Sequence, residues 1–253
     1  MQFVSYMTPG FPVSLFERMA AVIDAELLLE QHTSGPPPGE DPFRDGRYDL
    51  GWICSTSFVD LALRAEQPSV RLAGVAWVPD DPDANGRPVY FGDIVVAPDS
   101  DVETLDDLAG RRIGCNDAVS LSGHHALRLR LRDGGHDPDT FADLVFTGGH
   151  HASLDRVVAG DLDAAIVDSV VRIGRSRHDA DVDTLRVIER TGPWPVQPLV
   201  AHQAMTDATV DEVCQRLLGA NEELRAELQA AALTQLVPVS ADHYAPVRAA
   251  LAN

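Results

Sequence analysis

The residue types best suited to chemistry are gathered in two short loops. One reads Asn116-Asp117-Ala118-Val119-Ser120-Leu121-Ser122-Gly123-His124-His125 and the other Thr147-Gly148-Gly149-His150-His151-Ala152-Ser153. Each follows a short apolar strand pattern, at 112–115 and 144–146, and opens a helical one, at 123–131 and 152–158. Hydroxyls, imidazoles and the unpaired N–H groups of a first helical turn then converge where the helix dipole favours negative charge. The expected chemistry is capture of an anion by Ser120, Ser122 and the backbone near Gly123, or helix capping, which uses the same geometry. His150 is expected to face the same ligand as a donor or, when protonated, as a charge partner, so that binding weakens as pH rises through its pKa. Consecutive helical residues point about 100° apart, so only one of His124 and His125 can face the loop, and His124 lies nearer the Ser-Gly turn.

A third polar elbow, Cys54-Ser55-Thr56-Ser57, follows the apolar run 48–54. In open α/β sheets, ligands sit at the carboxyl ends of strands, which makes Ser55 and Ser57 candidate ligand donors. Cys54 is either a buried small thiol or a nucleophile whose thiolate a helix N-terminus favours. Asp168 closes the apolar run 164–167, where it caps the next helix or orients the ligand or His150. Trp194, between Pro193 and Pro195, is held rigidly enough to wall a cleft. For catalysis, the candidates are His150 and His124 as acid/base and Cys54 as nucleophile. The spacing of the two His pairs matches no short metal motif, and neither metal nor cofactor is expected.

Those loops need a scaffold, and the chain is long enough to supply one. Its 253 residues, 45% of them hydrophobic, can bury a large core. A formal charge of −19 disfavours nucleic acid and anionic membranes as partners. All 20 basic residues are Arg, which removes lysine Schiff-base chemistry. Three irregularly spaced cysteines form no zinc pattern and suit a reducing compartment. Met1 runs directly into an apolar strand and no apolar stretch reaches the length of a membrane span, so the expected location is cytoplasmic without membrane insertion, or extracytoplasmic if an export signal has been trimmed.

Strand and helix patterns alternate along the chain, predicting α/β architecture with parallel strands. Strands are expected at 2–7, 26–31, 48–54, 71–78, 89–97, 112–115, 144–146, 164–167, 185–189 and 198–201. Turn-rich breaks at 80–86 and 192–195 predict two lobes, one formed by 1–89 with 196–253 and the other by the insert 90–195, with the ligand between them.

Several stretches in this order resemble the phosphonate/phosphite-binding branch of the type II periplasmic solute-binding proteins. They are Gly46 to Cys54, the Tyr90 strand with the Leu-Asp-Asp-Leu-Ala-Gly turn, Ser120-Leu121-Ser122-Gly123, and Phe146-Thr147-Gly148-Gly149-His150 followed by 157–169. The resemblance implies a two-lobed fold with an interlobe cleft. It also implies an oxyanion held by Ser120, Ser122 and Gly123, with His150, Asp168 and the aromatic Tyr90 beside it. Gly149 stands where the family carries a small hydroxyl residue.

Two functions follow. The first is binding of a small oxyanion (phosphonate, phosphate, phosphite or carboxylate), with a transporter or biosynthetic protein as partner. The second is a cytosolic dehydratase, lyase or decarboxylase on the same fold, similar in concept to the menaquinone-pathway chorismate dehydratase, with His150 or His124 as acid/base.

Overall fold

Helix and strand boundaries follow from burial patterns in a computed structural model, which describes residues 1–8, 10–31 and 33–252. In α1 (Val13–Ile23), Leu15, Phe16, Met19, Ala20 and Ile23 form one buried stripe, and Asp24 ends the helix in the left-handed conformation at φ 55°. That stripe packs on a first sheet of order β2-β1-β3-β11-β4. Its strands are β1 (Gln2–Ser5), β2 (Glu26–Leu29), β3 (Leu50–Trp52), β4 (Val70–Leu72) and β11 (Leu199–His202). Gly51 is required in β3, because a Cβ there would lie 2.5 Å from the Phe43 ring.

A second sheet has the order β10-β6-β9-β7-β8. It contains β6 (Val89–Val96), β7 (Arg112–Cys115), β8 (Asp143–Phe146), β9 (Ala164–Asp168) and β10 (Arg186–Pro195). A two-stranded ribbon pairs β5 (Val75–Pro79) with β12 (Leu233–Pro238). Trp52 stacks on Trp77 of that ribbon with ring centroids 4.3 Å apart, which ties it to the first sheet. The result is a mixed α/β fold of two five-stranded sheets and a two-stranded ribbon.

Three expectations need correction. The strands are not all parallel: β11 runs antiparallel to β3 and β4, and β6 antiparallel to β9 and β10. Parallel neighbours need a long crossover between them, whereas β6 and β11 each arrive directly from a strand of another sheet, β5 and β10. The single strand expected at 71–78 is two strands, broken at Gly74, whose φ of +107° suits glycine, and its halves join different sheets. The turn-rich break expected at 192–195 falls inside a strand, since Trp194 and Pro195 pair with Tyr90 and Val89 as the end of β10, after a register shift.

Candidate functional site

Four helices begin at one place. α2 (Ser55–Phe58) continues through a π-helical turn at Val59–Leu63 and starts after Cys54. A π-helical turn at Leu121–His125, capped by Ser120, leads into α3 (Ala126–Asp133). α4 (His150–Val158) starts after Gly149, and α5 (Ser169–Ser176) is capped by Asp168. Cys54, Ser120, His150 and Asp168 all line one cavity, together with Tyr90 from β6 and Tyr6, Met7, Gly10, Phe11, Ser34, Asn116, Val171 and Gln197. The cavity is tight, with ≈ 20 Å³ of room for the centres of water-sized atoms. A single water needs about 10–15 Å³ on that measure, so only a compact group fits.

Hydrogen bonds between the two sheet systems close the cavity. Asp117 Oδ2 accepts from the backbone N–H of Ser34 at 2.9 Å and from its hydroxyl at 2.6 Å. Thr56 donates to the carbonyl of Val119, and the N–H of Leu121 donates to Cys54 Sγ at 3.3 Å. Gln197 Nε2 donates to Asp168 Oδ2 at 2.8 Å, while Asp168 Oδ1 accepts from the N–H of Val170 at 2.8 Å. Three polar atoms on the cavity-lining residues are buried without a partner: Tyr90 OH, Asn116 Oδ1 and Gln197 Oε1.

Burial sets the protonation states. The His150 pKa is pushed down to about 3 by burial, with His151 adding in the same direction, so the ring is neutral at physiological pH. Its Nδ1 accepts the Asp168 N–H at 3.2 Å, which leaves the ring proton on Nε2 as a donor. The expected imidazolium partner for an anion is therefore absent. Burial pushes Asp168 up to about 7, against the lowering effect of Gln197 and the α5 N–H groups. Burial raises the Cys54 thiol more than its hydrogen bonds to Thr56 and Leu121 lower it, so it is a protonated packing group and not an activated nucleophile. The Tyr90 phenol is held well above its ordinary range, chiefly by burial.

Of the expected site residues, the structure brings the ligand candidates Tyr90, Ser120, His150 and Asp168 and the catalytic candidate Cys54 to one cavity and leaves the others off its lining. Ser55 is buried with its hydroxyl donating to the Pro195 carbonyl at 3.3 Å. Ser57 lines a separate groove with residues 36–40 and His125. Ser122 is buried behind the lining residues, its carbonyl lying 2.8 Å from where a Gly92 Cβ would sit. Gly123 makes room for the site, because a Cβ there would lie 1.9 Å from Asn116 Oδ1 and 2.9 Å from His150 Cε1. His124 points elsewhere: its Nδ1 lies 3.0 Å from the Ala118 carbonyl and its ring meets Phe146 edge-on. Trp194 is half-buried between the core clusters and lines another groove.

Sequence reasoning missed Ser34 and Gln197, and took Asn116 only as the start of the Ser120 loop, without a ligand role. Asn116 opens the same loop as Ser120, a usable signal, whereas Ser34 sits in a proline-rich loop and Gln197 in a short connector between prolines. Among the described residues no group of three or more His, Cys, Asp or Glu is placed to hold a metal, and no helix is long and apolar enough to cross a membrane.

No curated protein sequence matches the chain. Solved structures do. A binding-protein component of an ABC phosphonate transporter from Pseudomonas aeruginosa superposes with a TM-score of 0.76 at 15% identity, covering 99% of this chain and 85% of that one. PhnD1 from Prochlorococcus marinus, in complex with methylphosphonate, gives 0.76 at 15% identity over 99% of this chain and 96% of its own. XAC2383 from Xanthomonas citri, bound to ATP, gives 0.72 at 16% identity over 100% and 96%. At these identities the likeness establishes the fold. Residues 40–244 match the family model described as ABC transporter, phosphonate, periplasmic substrate-binding protein. That match overturns both the cytoplasmic location and the lyase activity expected above, because the family is one of periplasmic solute-binding proteins. The matched segment spans most of the chain, and the protein belongs to the periplasmic substrate-binding proteins of phosphonate ABC transporters.

Proposed function

We propose that this protein works outside the cytoplasm, holds a phosphonate-type tetrahedral oxyanion in the central cavity, and presents it to an ABC-type membrane transporter. One observation carries the reading: four helix N-termini converge on a tight cavity whose lining, among the described residues, includes no Arg. Helix dipoles and first-turn N–H groups favour an anion without a charged side chain. Tyr90 OH, buried without a partner, and the proton on His150 Nε2 add neutral donors. Ser120 Oγ accepts the N–H of Gly123 at 3.1 Å, which leaves its own proton to donate. PhnD1, which this chain resembles in fold, is in complex with methylphosphonate.

In this reading, residues 1–89 with 196–253 form one lobe and 90–195 the other, and the ligand enters when they part. The lining supports that division, since Tyr6, Ser34, Cys54 and Gln197 come from one side and Tyr90, Ser120, His150 and Asp168 from the other.

Calorimetric titration with methylphosphonate, phosphite, phosphate, sulfate and acetate tests the proposal. Tetrahedral oxyanions are expected to bind, and acetate more weakly. Tyr90→Phe and Ser120→Ala should each cost about 1–3 kcal/mol of binding by removing a donor from a charged oxygen. Absence of heat with every tetrahedral ion, or full affinity in both variants, would reject the site.

A further inference from the structure

A chain of hydrogen bonds runs beside the central cavity and commits its protons to Asp117. Asp117 Oδ1 accepts from the backbone N–H groups of Val119 and Ser120, both at 2.9 Å. Its Oδ2 accepts from the Ser34 N–H and hydroxyl and, at 3.2 Å, from Asn116 Nδ2. Asn116 Nδ2 also donates to Ser34 Oγ at 3.0 Å. These bonds fix the Asn116 amide, because the flipped form would set its oxygen against two acceptors, Asp117 Oδ2 and a Ser34 oxygen whose proton is already committed. Asn116 Oδ1 then lies against the Gly123 helix start, where a Cβ on Gly123 would be 1.9 Å from it and 2.9 Å from His150 Cε1. Gln197 is held in the same way, its Nε2 donating to Asp168 Oδ2 at 2.8 Å. Both residues line the cavity, and both amide oxygens are buried with no hydrogen-bond partner among the described residues.

The lining therefore has two characters. Helix starts, Tyr90 OH, Ser120 Oγ and His150 Nε2 offer protons, whereas Asn116 Oδ1 and Gln197 Oε1 can only accept them. An oxyanion stripped of every proton satisfies the first set and turns bare oxygens on the second, and each buried acceptor left without a donor costs binding. One hydroxyl on the head meets the acceptors and removes that cost. We propose that, with the oxyanion held in the central cavity as above, Asn116 and Gln197 set its specificity: they make the site bind a head that retains one proton and penalise an isosteric head that has none.

Methanesulfonate is the matched probe, because it has the shape and the single negative charge of the methylphosphonate monoanion without its proton. Calorimetry of the two ions, below the second ionisation of methylphosphonate, is run on the wild type, Asn116→Leu and Gln197→Met, each variant first checked by its thermal melt. The wild type is expected to bind methylphosphonate at least about tenfold more tightly than methanesulfonate, and the ratio should shrink in the variants. The phosphorus NMR shift of bound methylphosphonate gives a second readout that needs no variant. It is expected to hold the monoanion value across the pH range in which the free ligand becomes a dianion. Equal affinities in the wild type, a ratio unchanged in every variant that folds, or a bound signal that titrates along with the free ligand would each overturn the proposal and leave the central site standing. Should neither variant fold, the wild-type ratio and the phosphorus shift decide. If neither ion binds the wild type, the central site falls and the specificity assignment falls with it.

Discussion

Asp168 and His150 meet through a single hydrogen bond, yet burial drives their titrations apart, the carboxyl up to about 7 and the imidazole down to about 3. Between pH 5.5 and 8.5 the histidine is neutral throughout and the carboxyl is the group that changes. A bound anion favours the protonated carboxyl, so binding takes up a proton and affinity is expected to fall as pH rises through about 7. The dependence has the sign expected from a protonated His150, with a different residue responsible. Methylphosphonate affinity measured over that range in wild type and Asp168→Asn, which share the ligand's own ionisation, checks it; identical pH profiles for the two would refute the role of Asp168. The same shifts act on folding. Stability from the raised Asp168 pKa is fully present below the ordinary carboxylate range and is lost as pH rises through about 7. That from the depressed His150 pKa is present above 6.5 and is lost as pH falls toward 3.

At the scale of elements, the crossing into the second sheet is pinned by one arginine of β10. Arg190 Nε donates to Asp93 Oδ1 of β6 at 2.7 Å and Nη2 to Asp81 Oδ2 at 2.5 Å, and Nη1 also reaches Asp83. Its guanidinium lies 4.2 Å above the centre of the Phe91 ring. Arg172 of α5 takes the other oxygen of Asp93 at 2.7 Å, and Asp93 is fully buried. Removing one partner from a buried ion network leaves uncompensated charge and typically costs about 3–5 kcal/mol. Arg190→Met is therefore expected to lower unfolding stability by about that amount in a denaturant melt, and a change under 1 kcal/mol, on the scale of an exposed pair, would refute the pinning. Helix starts at 120 and 168 were legible in advance because a short polar residue after an apolar strand has few other roles. Strand β12 was not, because Leu233–Pro238 alternates weakly and gains its burial only by pairing with β5.

For the whole molecule, the net charge of −19 opposes the approach of any anion, although the local helix starts favour it once inside. Added salt screens the long-range repulsion more than the buried contacts. The association rate of methylphosphonate in stopped flow is expected to rise between about 10 mM and 150 mM salt, a range over which the Debye length falls from roughly 30 Å to 8 Å. A rate that falls with salt would mean that a local positive field dominates the approach.

By itself the sequence determined the alternating α/β architecture, the two polar loops at helix starts, and through the order of its motifs the family resemblance. Each is written locally, in capping residues, apolar periods and turn residues that act over a few positions. Only the tertiary structure decided which loop residues share one cavity. Ser120 and Ser122 are two positions apart, yet the structure puts one on the lining and buries the other behind it. Ser34, Asn116 and Gln197 come from distant segments and meet only when the two sheets close on each other. Protonation was also a tertiary matter, because desolvation depends on what packs around a group, and that packing makes His150 a neutral donor and Asp168 the titrating group.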